Sequence, residues 1–121
     1  MTYIRYPNPR ENSLRKKVED HTGEKVYYSW EITNILINLG MNIFYLRLNQ
    51  KKVKIALRGK GFNSKELPEY KGKSKSGIVL YPEKQVWEYI KKCEKEGQIF
   101  PVEEGSLEEM VRKGYSHQLS R

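Results

Sequence analysis

Residues 42–60 read NIFYLRLNQKKVKIALRGK, and the fold depends on how this stretch is taken. Apolar side chains in a half-buried strand recur at every second position. Phe44, Leu46 and Leu48 share one parity, and Val53, Ile55 and Leu57 share the other. A connection centred on Gln50 and Lys51 sets Leu48 opposite Val53, Leu46 opposite Ile55 and Phe44 opposite Leu57. All six then lie on one face of a β-hairpin over about 42–58. A slip of one residue would turn one strand's apolar set over. Gln50-Lys51 lacks the Gly or Asn of a type I′ turn, which favours a four-residue loop from Asn49 to Lys52 with the same parity.

The other face of this hairpin carries Ile43, Tyr45, Arg47, Asn49, Lys52, Lys54, Ala56 and Arg58. Arg47 falls opposite Lys54, and like charges across a ladder destabilise it by roughly 0.2–1 kcal/mol. Carboxylates from elsewhere, water, or a bound anion would have to relieve them.

Charge along the chain follows the same stretch. The 121 residues carry a formal net charge of +8. Met41 to Pro82 holds ten Lys or Arg against two Glu, while the remainder holds thirteen basic and thirteen acidic residues. The whole surplus therefore sits on the hairpin and the segment after it, a distribution that points to a polyanionic partner. That following segment, 59–77, reads GKGFNSKELPEYKGKSKSG. It is expected as a long basic loop, with one helical turn between Ser64 and Tyr70 and with Lys60, Lys71, Lys73 and Lys75 available to phosphates. Gly72-Lys73-Ser74 resembles the end of a phosphate-binding loop, but Leu67 stands where its first glycine is required, so a Walker site is rejected.

Around this centre the sequence predicts an α+β domain spanning 1–121. Residues 1–12 are expected as an extended arm, since Pro7 and Pro9 disfavour helix before themselves. A helix is expected over 13–21, capped by Ser13, with Arg15, Lys16 and Lys17 in solvent. The stripe Ile32, Ile35, Leu36, Leu39 predicts a helix over 29–39, with Ser29 before it and Gly40 after it. Tyr27, Tyr28 and Trp30 are expected at the edge of the core. Ile78 to Tyr81 is continuously apolar and predicts a central strand over about 77–81. Pro82 then opens a helix over 83–96 that buries Val86, Tyr89, Ile90 and Cys93. Gln98 to Val102 is expected as an edge strand, because Pro101 cannot donate to a ladder. Ser106 to Glu109 forms a capping box for a helix over 106–113, and 115–121 is a polar, fraying tail. The small, mainly antiparallel sheet would carry its helices on one face and its cations on the other. Two helices before a hairpin also fit a winged helix-turn-helix with 29–39 as the recognition helix. Its outward positions, Thr33, Asn34, Ile37 and Asn38, lack the Arg or Lys that groove insertion calls for.

Several function classes fall away. One cysteine, Cys93, excludes an internal disulfide and a multi-cysteine zinc site, and fits a reducing, cytoplasmic setting. His21 and His117 have no second ligand at helical spacing, and Asp20 is the only aspartate, so no metal or other cofactor is expected. No apolar run approaches 18 residues, so no membrane span is expected. MTYIRYPNPR lacks the apolar core of a secretory signal. Ala56 is the only alanine among many Lys, Ile, Asn and Tyr, a composition associated with AT-rich coding in low-GC bacteria and their mobile elements.

The leading expectation is a nucleic-acid-binding protein of low sequence specificity, working on single strands or on RNA and DNA backbones. Its candidate contacts are Tyr45, Arg47, Lys52, Lys54, Arg58, Lys60, Lys71, Lys73 and Lys75, with Tyr45 as a stacking face. One alternative is a phage-type accessory protein that binds and inhibits an acidic or nucleoprotein partner. Another is a metal-independent endoribonuclease using Tyr115, His117 and Arg121. A helix across 43–58 would remove the cationic sheet face on which the leading expectation stands.

Overall fold

A computed structural model of the chain describes residues 8–40, 46–70, 77–102, 107 and 110, with the backbone alone described at 46–49. The first helix, α1 (Pro9–Thr22), starts well before Ser13. Asn8 Oδ1 accepts from Glu11 N at 2.8 Å, and Glu11 Oε1 accepts from Asn8 N at 3.0 Å. This reciprocal cap places Pro9 at the first helical position, where a missing N–H costs nothing. Residues 9–12 of the expected arm are thus helical, and its first seven residues lie outside the described ones.

Three short strands follow, β1 (Val26–Tyr28), β2 (Phe62–Asn63) and β3 (Val79–Pro82). They form an antiparallel sheet in the order β1-β3-β2, with Tyr28 and Phe62 both in register with Leu80. The strand expected near 77–81 is central, as its continuous apolar run implies. β1 was not expected: three residues, VYY, are too short for a period to show. Tyr27 and Tyr81 join one apolar cluster, with Ile32, Ile35 and Leu36 of α2 (Ser29–Asn38) and Val86, Ile90 and Cys93 of α4 (Glu83–Lys95). Val26, Tyr28 and Leu80 join the other, with Val18 of α1, Trp30 and Leu67. The sheet is covered on both faces, so the open cationic sheet face expected from sequence does not exist. Alternate residues of VYY and VLYP point to opposite faces and nearly all are large and apolar, so each face needs a cover.

The central correction concerns 42–58. This stretch is not a hairpin; it contains the helix α3 (Leu46–Ala56), which packs against α2. Positions 46, 50, 53 and 57 carry Leu, Gln, Val and Leu at helical spacing, alongside the period of two. Val53 and Leu57 are buried in the α2 cluster, whereas Ile55 is 53% exposed. A strand would have put all three on one side; the helix separates them.

The segment after α4 is not an edge strand either. Its backbone groups are met by side chains and by a turn, not by a ladder. Val102 N donates to Glu94 Oε2 at 2.8 Å, Lys91 Nζ donates to Val102 O at 3.0 Å, and Phe100 N donates to Leu39 O at 2.7 Å. Ile99 and Leu107 enter the core, and residues 107 and 110 are helical as expected. The rest of the helix expected over 106–113 and the tail at 115–121 lie outside the described residues. No described helix is long and apolar enough to cross a membrane.

Candidate nucleic-acid interface

The basic residues of the central stretch sit on α3 and on the turn that follows it. Gln50 is half-buried and its Nε2 donates to Ser29 Oγ at 3.2 Å, fastening α3 to the start of α2. Gln50, Val53 and Leu57 make the inner face, at i, i+3 and i+7. Lys51, Lys52, Lys54, Ile55 and Arg58 are exposed. Lys51, Lys54 and Arg58 are spaced by three and four, so they form one cationic line along the helix surface. Arg47 precedes Lys51 by four positions, within the first turn of α3. Lys60 is exposed just beyond.

This line is one wall of an open groove of about 820 Å³. Trp30, Ile78, Val79 and Tyr81 line it as well, together with Gly61 and Gly77 at the base of the β2–β3 connection. Glu11 is the one carboxylate in the lining, and it is already engaged by Asn8. None of Lys51, Lys52, Lys54, Arg58 or Lys60 is ion-paired to a described carboxylate. The described pairs lie elsewhere, at Arg15–Glu31, Lys17–Glu69 and Lys91–Glu94. Lys51, Lys52 and Lys54 are therefore exposed with no described carboxylate paired to them.

The base of the β2–β3 connection is tightly fixed. Ser64 N donates to Ile78 O at 2.8 Å, and Ile78 N donates to Ser64 Oγ at 2.9 Å. A Cβ on Gly77 would run into Asn63 Oδ1 and lie 2.7 Å from Lys65 N, so the crossing admits glycine alone. Asn63 Oδ1 also accepts from Lys65 N and caps a single 3₁₀ turn, Ser64–Glu66. The helical turn expected between 64 and 70 is present there. Leu67 is buried, and Lys17 Nζ reaches both Glu69 Oε2 and Tyr70 Oη at 3.3 Å. The first half of the expected loop thereby touches α1 through Lys17, whose side chain remains 42% exposed, as a solvated lysine is expected to. Lys71, Lys73 and Lys75 lie outside the described residues, as does Tyr45.

Arg15 is not the solvated residue expected. Its Nη2 donates to Glu31 Oε2 at 2.6 Å, its Nη1 reaches Val26 O at 3.5 Å, and its guanidinium lies over the Tyr28 ring. Glu31 Oε1 accepts from Tyr28 N at 2.9 Å. Burial pushes the Glu31 carboxyl above its usual range, and the Arg15 charge opposes that shift. This pair ties α1 to the start of α2; both of its acceptor oxygens are occupied by the fold itself, which is structural chemistry.

Nothing comparable serves catalysis. Among the described residues no three His, Cys, Asp or Glu side chains gather as a metal site. The His21 ring packs beside Phe62 at 5.4 Å between centroids. Tyr115, His117 and Arg121, the residues of the ribonuclease alternative, lie outside the described residues. Sequence reading missed two residues of this surface, Lys51 and Ile55. It took Lys51 as part of a turn and Ile55 as core. The helical spacing of Leu46, Gln50, Val53 and Leu57 was the signal that would have found them.

The element order is helix, strand, helix, helix, strand, 3₁₀ turn, strand, helix, with β1 hydrogen-bonded to β3. The three comparisons, with family models, curated proteins and solved structures, return no match for this chain.

Proposed function

We propose that the protein binds double-stranded DNA, with α3 lying in the major groove and a phosphate backbone passing between α3 and the base of the β2–β3 connection. The observation that carries this reading is the outer surface of α3: Lys51, Lys52 and Lys54, with Arg58 just beyond its end, are exposed and unpaired to any described carboxylate. The cationic sheet face that favoured single strands is gone, and a helix of 11 residues fits the width of a B-form major groove. Thr33 and Asn34, expected to point outward, are buried, so α2 is a supporting helix and its lack of Arg and Lys does not count against contact through α3. Phosphate neutralisation supplies most of the affinity, so binding falls steeply with salt.

Fluorescence anisotropy with a labelled 30-base-pair duplex of random sequence, its single strand and an RNA hairpin tests the reading. The duplex is expected to bind tightest at 50 mM salt, and with about six phosphate contacts to weaken roughly a thousandfold by 200 mM. The double substitution Lys51→Glu and Lys54→Glu is expected to cost more than tenfold in affinity and to leave the urea midpoint unchanged. No duplex binding at 50 mM, or full binding by the double variant, would overturn it.

A further inference from the structure

Two large apolar side chains are exposed where a purely electrostatic surface has no use for them. Ile55 is 53% and Ile78 48% exposed, and both line the groove whose other lining includes Lys51, Lys54 and Arg58. Scattered exposed apolar residues need no explanation. These two share one groove, and among the described residues Phe100 is the only other large hydrophobic so exposed. Ile55 sits one helical turn from Lys51 and Lys52 on one side and from Arg58 on the other. The occupant of such a surface must offer negative charge and an apolar spot within one helical turn of each other. In the major groove of a duplex, thymine offers that spot as its C5 methyl, beside the phosphates.

We infer that Ile55 reads thymine, packing its side chain against the C5 methyl in the major groove while the flanking cations hold the backbone. The inference rests on the duplex-DNA reading above and deepens it: the protein discriminates bases at the point where an apolar side chain replaces a cation on the outer face of α3. Lysines alone would give backbone affinity with little base preference.

The test compares two 24-base-pair alternating duplexes, one of deoxyadenosine and thymidine, the other of deoxyadenosine and deoxyuridine, which differ only in the C5 methyl. The protein is expected to bind the thymidine duplex about fourfold tighter, the worth of one buried methyl group. Ile55→Gln is expected to bind both duplexes equally, and Ile55→Val to keep the preference. Because position 55 is exposed, neither substitution disturbs the core. Equal binding of both duplexes by the unsubstituted protein, or a preference surviving in Ile55→Gln, would sink the inference and leave the DNA reading intact. Failure to bind either duplex would remove the DNA reading itself.

Discussion

Helices α2 and α3 pack against each other, yet their surfaces are opposites. Ser29 to Leu36 is buried at eight consecutive positions, polar Ser29, Glu31, Thr33 and Asn34 included. Along α3, by contrast, Val53 is buried while Lys51, Lys52, Lys54, Ile55 and Ala56 all face out. A helix covered all round is held by the domain and positions other elements. A helix covered on one stripe leaves a surface for something else. Two buried polar side chains of α2 are satisfied internally: Thr33 Oγ1 donates to Ser29 O at 2.9 Å, and Glu31 takes Arg15 and the Tyr28 amide. The contrast assigns stability to the first helix and leaves the second as the surface on which the proposed contact would fall.

The comparison breaks most sharply at Glu31. Its side chain is 2% exposed and Arg15 is its partner. Removing one partner of a buried pair strands the other charge, so Glu31→Ala is expected to lower unfolding free energy by about 4 kcal/mol. Urea denaturation followed by tryptophan fluorescence measures this; a loss below about 1 kcal/mol would mean the pair does not hold α1 to α2. Leu36→Ala comes next, at about 3 kcal/mol, because Leu36 is wholly buried among α3 and α4 residues and the cavity cannot collapse easily. The same denaturation should find the outward Lys51 and Lys54 substitutions close to neutral, which is the sharper half of the contrast.

The smallest effect is one of pH. Burial pushes the Cys93 thiol and the Tyr81 and Tyr89 phenols above their ordinary values of 9.0 and 10.0. The folded protein keeps these protons where the unfolded chain releases them. Their contribution to stability is therefore constant below about pH 8 and is lost as pH rises through 9 and beyond. Urea midpoints at pH 7.5 and pH 10 check the direction; Cys93→Ala removes the thiol's share of the fall.

Where the sequence wrote one period, it was legible. α4 has its stripe at Val86, Ile90 and Cys93, Pro82 before it and Gly97 after it, and it folds over 83–95. β3 was legible because four apolar residues in a row fit a strand buried on both sides. Two periods coexist in LRLNQKKVKIA. The alternation of Leu and of Val-Ile-Leu is conspicuous, and β-branched Val53 and Ile55 favour a strand locally. The helical stripe is masked because one of its members is Gln50, a polar residue that enters the inner face only because Ser29 receives its amide. Tertiary packing against α2 chose between the two patterns, and no local rule contains that partner. The α1 cap was a different kind of miss. Asn8, Pro9 and Glu11 spell a helix start, but the two prolines drew attention to what they forbid. For the candidate site, the residue identities of the cationic surface were readable and its shape was not. Lys52, Lys54, Arg58 and Lys60 are exposed as a binding role requires, on a helix and its exit, not on a sheet.

The C-terminal end of α2 leaves one more mark on the molecule. Gly40 has φ of 109°, and a Cβ there would meet the Phe100 ring at 2.9 Å, while Phe100 N holds Leu39 O. An inherited change at position 40 must survive both a disfavoured backbone and an aromatic ring arriving from sixty residues downstream. The segment after α4 thus acts as a splint on the C-terminal end of α2, and a side chain at position 40 would be admitted only if the ring at position 100 gave way.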